Sequence, residues 1–276
     1  MRAFLGILLA ALFIAGPAVT GDYLTMKGSD TMVHLGSSWA EKFMAQNPDI
    51  DVSITGGGSG TGIAALLNGT TDICMASRSI KAKEIKLADK KGIIPYEVTV
   101  ARDGIAVVVN PENPIDKLTI EQIGKIYTGQ ITNWKQVGGP DEDIIVLSRE
   151  SSSGTYVFFQ EHVLKKEDYT PKARLMPATS AIIQSVQTDK WSIGYVGLGY
   201  AVEAGDKVKA LAVSDGGDYT EPSEATVKSG EYSISRPLHL YTDGEPTGKI
   251  KQFVDFCLSS EGQEIVRETG YIAVSK

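Results

Sequence analysis

From about residue 21 onward, apolar positions follow two rhythms. Short runs that are continuously apolar or strictly alternating predict strands over 23–28, 51–55, 72–76, 94–100, 104–109, 143–147, 192–196 and 234–241. Between them, apolar residues recur every three to four positions and predict helices over 31–46, 61–68, 81–91, 119–127, 154–166, 180–188, 246–258 and 260–269. Strand and helix alternate through most of the chain, the pattern of an α/β fold with mainly parallel pairing. The acidic, polar stretch from Ser214 to Gly230 reads as a surface loop.

Two extended runs, Ile94 to Asn110 and Tyr232 to Tyr241, lie more than a hundred residues apart. They suit a discontinuous first lobe built from both ends of the chain, 21–103 plus 237–276, with a second lobe, 104–236, inserted between. Two crossings make a hinge, and a hinge leaves a cleft where ligands of α/β proteins commonly bind. Ahead of the first strand, Met1-Arg2, the apolar stretch Ala3 to Ala15 and the small residues Gly16 to Gly21 have the form of a secretory signal peptide over 1–20, with cleavage expected after Ala18 or Thr20. A periplasmic or otherwise secreted protein is the expectation.

Charge narrows the partners. The formal net charge of −7 becomes −8 when the leader and its Arg2 are removed, which argues against nucleic acid and anionic membranes. Any affinity for anions must then be local. The two cysteines, Cys74 and Cys257, sit in apolar runs and are open to either a disulfide or two buried thiols; a pair is too few for a zinc site.

Local anion chemistry is supplied by three turns of one design. Ser148-Arg149-Glu150-Ser151-Ser152-Ser153-Gly154-Thr155 joins a predicted strand to a helix, as do Lys27-Gly28-Ser29-Asp30-Thr31-Met32 and Thr55-Gly56-Gly57-Gly58-Ser59-Gly60-Thr61-Gly62. Each brings hydroxyls and unpaired amides to a helix N-terminus, where the macrodipole favours negative charge. One such turn is most simply a capped helix start. Three make a repeated device. The glycine-rich turn is not a nucleotide loop, because Ile63 stands where a Walker A lysine is needed and Thr61 where the third dinucleotide-loop glycine is needed; Thr61 also denies Ser59 the glycine of a nucleophile elbow.

Taken in order, these segments resemble the periplasmic phosphate-binding proteins of phosphate ABC transporters, members of the type-2 periplasmic binding protein family. The resemblance runs from about Leu24 to the C-terminus. It is carried by Gly28-Ser29-Asp30-Thr31-Met32, Gly58-Ser59-Gly60-Thr61-Gly62, Ala76-Ser77-Arg78, Tyr127-Thr128-Gly129 with Ile131-Thr132-Asn133-Trp134, Arg149 with Ser153-Gly154-Thr155, and Ser192-Ile193-Gly194-Tyr195. It implies a two-lobed α/β fold with the ligand cleft between lobes, a monomer that binds inorganic phosphate and docks a membrane permease, and no cofactor, metal or catalytic residue. It places the phosphate contacts on Thr31, Met32 (backbone), Ser59, Arg149, Ser153, Gly154 and Thr155.

Two positions depart from the family pattern. Some members carry an acidic residue at the position of Arg78, where it accepts the proton of bound hydrogen phosphate; here a guanidinium faces the same cleft and is expected to touch the ligand. The proton-accepting role then falls to Asp30, whose alternative is a helix N-cap. Ser151 stands where some relatives have an aspartate that orients the site arginine.

Two rivals use the same anion pocket. A secreted phosphatase would need clustered metal ligands or an activated nucleophile, yet His34, His162 and His239 are isolated in sequence and no base neighbours the serine-rich turns. A binding protein for sulfate, molybdate or tungstate shares the whole logic.

Overall fold

The computed structural model describes residues 22–274, so the leader expected over 1–20 lies outside the described residues. In chain order the strands are β1 Asp22–Gly28, β2 Ile50–Thr55, β3 Ile73–Ala76, β4 Pro95–Val109, β5 Lys117–Thr119, β6 Ile145–Arg149, β7 Arg174–Met176, β8 Ser192–Gly197, β9 Lys209–Ala210, β10 Ala212–Ser214 and β11 Ser235–Asp243. The helices are α1 Val33–Gln46, α2 Ser59–Leu67, α3 Ala82–Lys91, α4 Ile120–Tyr127, α5 Gly154–His162, α6 Thr179–Thr188, α7 Leu198–Ala204, α8 Glu224–Ser229, α9 Gly248–Leu258 and α10 Ser260–Glu268.

The main sheet has the order β2-β1-β3-β11-β4-β8-β6-β7, with β9 also on β4. Its flanks are parallel: β2, β1 and β3 at one end, and β8, β6 and β7 at the other. Its centre is antiparallel, because β11 lies between β3 and β4 and runs against both. The small β5–β10 pair is parallel as well.

Each flank carries its own core. One packs Leu24, Met26 and Ile73 of the sheet against Trp39 and Phe43 of α1 and Phe253 of α9. The side chains of α1 that reach it, Leu35, Trp39, Ala40 and Phe43, follow the helical period, and Phe43 meets Phe253 edge-on at 5.1 Å. The other core gathers Val107, Tyr127, Trp134, Phe159, Ile193 and Tyr195, with Phe159 stacked on Tyr195 at 4.0 Å. Burying each such aromatic contributes on the order of 2–3 kcal/mol.

The 94–100 and 104–109 predictions are one strand of 15 residues. Its Val100 and Ala101 belong to the first core and its Ile105, Val107 and Val109 to the second. β11 accompanies it, with a register shift between Leu238 and His239. The Ser214–Gly230 stretch also departs from expectation: Ser223 accepts from the Thr226 amide at 3.2 Å and starts α8, whose Val227 is buried. Cys74 and Cys257 are both free thiols, buried in apolar surroundings that push their pKa values up.

Candidate functional site

The three turns meet where the flanks of the sheet face each other. The Ser29–Met32 turn leaves β1, and its Thr31 hydroxyl lies 2.9 Å from the Thr155 hydroxyl on the first turn of α5. The glycine-rich turn leaves β2 and reaches the same place: the Gly60 amide donates to the Ser152 carbonyl at 2.9 Å. Glycine is required at two contacts. Gly58 has φ +92°, and a Cβ there would lie 2.6 Å from the Ser152 carbonyl oxygen. A Cβ on Gly154 would sit 2.3 Å from Ser59 Oγ and 2.7 Å from Ser77 Oγ. The backbone at the start of α5 thus presses directly on two hydroxyls from the opposite side.

Those hydroxyls form a chain. Ser29 donates to Ser77 at 2.8 Å, Ser77 lies 3.3 Å from Ser59, and the Ser77 amide donates to Ser59 Oγ at 3.0 Å. Ser59 and Ser77 are wholly buried. Ser153 is the N-cap of α5, its Oγ accepting from the Thr155 and Tyr156 amides. The Met32 amide donates to the Ser29 carbonyl at 3.0 Å and shapes the first turn. The helix start also supplies the Gly154 amide, which precedes any intrahelical acceptor.

Arg149 ends β6 and is almost entirely buried. Its Nε donates to the Met176 carbonyl at 3.2 Å and its Nη1 to Thr179 Oγ1 at 2.9 Å. Its Nη2 donates to the Pro177 carbonyl at 3.0 Å and to Asp30 Oδ2 at 2.6 Å. The other Asp30 oxygen accepts the Gly57 amide at 3.0 Å. Asp30 therefore caps no helix. It ties the first turn to the glycine-rich loop and orients Arg149, the task for which Ser151 has no carboxylate. Tyr200 donates to the Asp30 carbonyl at 2.9 Å, and burial, with Asp30 and Glu203 nearby, pushes its phenol up to about 12.

Arg78 takes a different place. Both guanidinium ends are held by Glu84, at 2.9 and 2.8 Å, and Nη1 also donates to the Ser79 carbonyl. Burial raises the Glu84 carboxyl, but hydrogen bonds from Arg78 and the Lys81 amide outweigh it and hold the group below its usual range. Arg78 thus stands beside the glycine-rich turn without a hydrogen bond to the hydroxyl chain. Glu84 captures it because it is the third residue of α3, where it also accepts the Lys81 amide at 2.7 Å.

A second buried guanidinium fills the floor of the site. Arg236 Nη1 donates to the Ser77 carbonyl at 2.8 Å, while Nη2 reaches Thr155 Oγ1 at 2.9 Å, Asp103 Oδ2 at 3.2 Å and Thr31 Oγ1 at 3.4 Å. Burial pushes the Asp103 carboxyl up against the opposing pull of Arg236. Among the described residues, no three His, Cys, Asp or Glu side chains converge as a metal-holding group. The site is a buried set of donors: hydroxyls, helix-start amides and two guanidinium groups. That chemistry suits a tetrahedral oxyanion.

Comparison with known proteins places the chain in a family. A family model described as a PBP superfamily domain matches residues 15–261. The phosphate-binding protein PstS of Staphylococcus saprophyticus is 38% identical over 256 residues, covering 90% of this chain and 79% of that one. The chain belongs to the PstS family of phosphate-binding proteins.

Other PstS-family relatives extend the likeness. The Bacillus subtilis PstS is 35% identical, with 91% of this chain and 81% of its own covered. Among solved structures, a phosphate ABC transporter substrate-binding protein of Clostridium perfringens with bound phosphate superposes with a TM-score of 0.84 at 36% identity, over 92% of this chain and 100% of that one. An ABC-type phosphate transport receptor of Vibrio cholerae gives 0.71 at 32% identity, over 90% and 99%. The fold is accordingly the type-2 binding-protein α/β architecture.

Sequence reading missed Asp103 and Arg236. Asp103 falls in the gap between the predicted strands 94–100 and 104–109, and Arg236 had no motif around it. A charged residue inside each of the two extended runs was the available signal, since strand interiors exclude unpaired charge.

Proposed function

We propose that this protein captures inorganic phosphate between two lobes, 21–103 plus 237–276 and 104–236, outside the cytoplasm, and delivers it to the permease of an ABC transporter. The observation that carries the reading is the convergence of three helix-start turns and a buried arginine on one point. Thr31, the Met32 backbone, Ser59, Arg149, Ser153, Gly154 and Thr155 are the proposed contacts. Asp30 acts in this reading through Arg149, and Arg78, held by Glu84, borders the glycine-rich turn. Export before cleavage of the 1–20 leader accords with the described helices, none of which is long and apolar enough to cross a membrane.

The energetics suffice. A charge-assisted hydrogen bond contributes about 1.5–3 kcal/mol, and micromolar binding needs about 8 kcal/mol. A handful of such bonds therefore covers the affinity after association costs. Function is capture and release: the hydroxyls' partners are one another, amides and a guanidinium, so none is poised against a base for attack.

Calorimetric titration of the purified, leader-free protein with phosphate, sulfate and molybdate tests the proposal. Saturable one-to-one phosphate binding with much weaker binding of the other two is expected. Tighter sulfate or molybdate binding would reassign the ligand, and turnover of a chromogenic phosphate ester would replace capture by catalysis.

A further inference from the structure

We propose that Arg236 is a positioning residue of the anion site, which holds the Thr31 and Thr155 oxygens as acceptors so that one hydroxyl proton of the pair is left for the anion, and which ties both sides of the cleft to the β4–β11 strand pair. The inference rests on the phosphate-binding reading above.

A guanidinium has only donors. Both threonine oxygens lie within reach of Arg236 Nη2, so each accepts there and must spend its own proton elsewhere. At 2.9 Å from each other, the two hydroxyls can commit one proton to their mutual bond, which leaves the other for a further acceptor. An oxyanion is the acceptor that a donor-only neighbourhood selects. Without the guanidinium, either hydroxyl could rotate and present a lone pair, and the site would lose its single polarity.

The same side chain links segments far apart in sequence. Thr31 belongs to the first turn, Ser77 follows β3, and Thr155 opens α5. Arg236 itself is on β11, directly opposite Asp103 on β4 in the ladder. Asp103 Oδ1 is fixed by the Leu198 amide at 3.1 Å, so the carboxylate that aims the guanidinium is itself aimed. The Phe158 ring lies 5.4 Å from the guanidinium carbon and closes the remaining face. Lysine could not replace this fork, because a single ammonium cannot span the Ser77 carbonyl and the two hydroxyls in fixed directions.

The test is phosphate affinity of the wild type, R236K, R236M, T155V and the R236K/T155V double variant, with circular dichroism as the check on folding. R236K should weaken binding about tenfold and R236M about a hundredfold, the range of one to two lost charge-assisted interactions. Because Arg236 acts through Thr155, the effect of R236K should shrink to a few-fold in the T155V background. Unchanged affinity in R236K and R236M, or full additivity in the double variant, would overturn the proposal while leaving phosphate binding intact. A wild type that binds no phosphate would overturn the functional reading and this inference together. If the Arg236 variants do not fold, the guanidinium N–H resonances of Arg236 in the wild type decide: they should shift on phosphate saturation, and resonances that stay in place would sink the idea.

Discussion

Asp103 and Arg236 are direct cross-strand partners at the centre of the sheet, 3.2 Å apart with both side chains sealed from solvent. A buried pair of this kind is weak as a source of stability but costly to break, because the surviving charge has no water to turn to. Asp103→Asn or Arg236→Met should lower the unfolding free energy by about 3–5 kcal/mol, measured by urea denaturation. A double replacement by apolar residues of matched size should cost less than either single change, and a larger cost for the double would refute the account.

Gly154 touches Ser59 and Ser77 so closely that no Cβ fits. Gly154→Ala places a Cβ 2.3 Å from Ser59 Oγ and 2.7 Å from Ser77 Oγ, so it should force the two sides apart by about an ångström and weaken both phosphate binding and stability by about 1–3 kcal/mol. Shortening one opposing side chain as well, in a Gly154→Ala/Ser59→Gly variant, should relieve the larger part of the clash, leaving the contact with Ser77, without restoring the lost hydroxyl. Calorimetry on the three proteins, with solution scattering to report closure, checks both statements.

With both carboxylate oxygens engaged, Asp30 is a brace for Arg149 and the glycine-rich loop. Asp30→Asn should therefore weaken phosphate and sulfate alike, by about tenfold, the worth of one charge-assisted hydrogen bond. Parallel titrations of the two anions read this out. Unchanged phosphate affinity with newly acquired sulfate binding would restore the proton-accepting role expected from the sequence.

His239 gives the stability an acid limb. Burial lowers its pKa below the ordinary 6.5, with Glu97 at 3.5 Å pulling the other way and Thr99 Oγ1 3.2 Å from Nδ1. Its Nε2 has no partner, and the Tyr241 ring is its other titratable neighbour, 5.8 Å away. On acidification the unfolded chain takes up this proton first. The stability is thus fully present above pH 6.5 and falls as the pH drops through the lower folded value. His239→Gln should flatten the fall below about pH 6.5 in urea midpoints, and an unchanged slope would assign it to the carboxylates.

What the sequence disclosed was whatever local pattern encodes. The α1 stripe of Leu35, Trp39 and Phe43, the apolar β3 run and the three hydroxyl-rich turns are visible within windows of a dozen residues. Partnership at long range is not. Asp30 pairs with a residue 119 positions away and Arg236 with one 133 away, so neither could be chosen from its neighbours. Asp103 interrupts the apolar strand pattern, and it is satisfied from outside the segment by Arg236 and by the Leu198 amide, while Gly104 makes room for Val227, whose Cγ2 would lie 2.7 Å from a Cβ there. Arg78 shows the reverse, a local acidic partner six residues on. Short elements such as β5, β7 and α8 are too brief to show a period at all.

The position of β11 between β3 and β4 also sets the order in which the molecule can assemble. A ribosome or secretion pore releases the N-terminal end first, yet the strand that joins the two flanks spans residues 235–243. Until that strand is available, β3 lacks its antiparallel neighbour and Asp103 its counter-ion, and pairing across some 160 residues carries a large loop-closure cost. The central sheet consequently cannot be completed until residues 235–243 have been made.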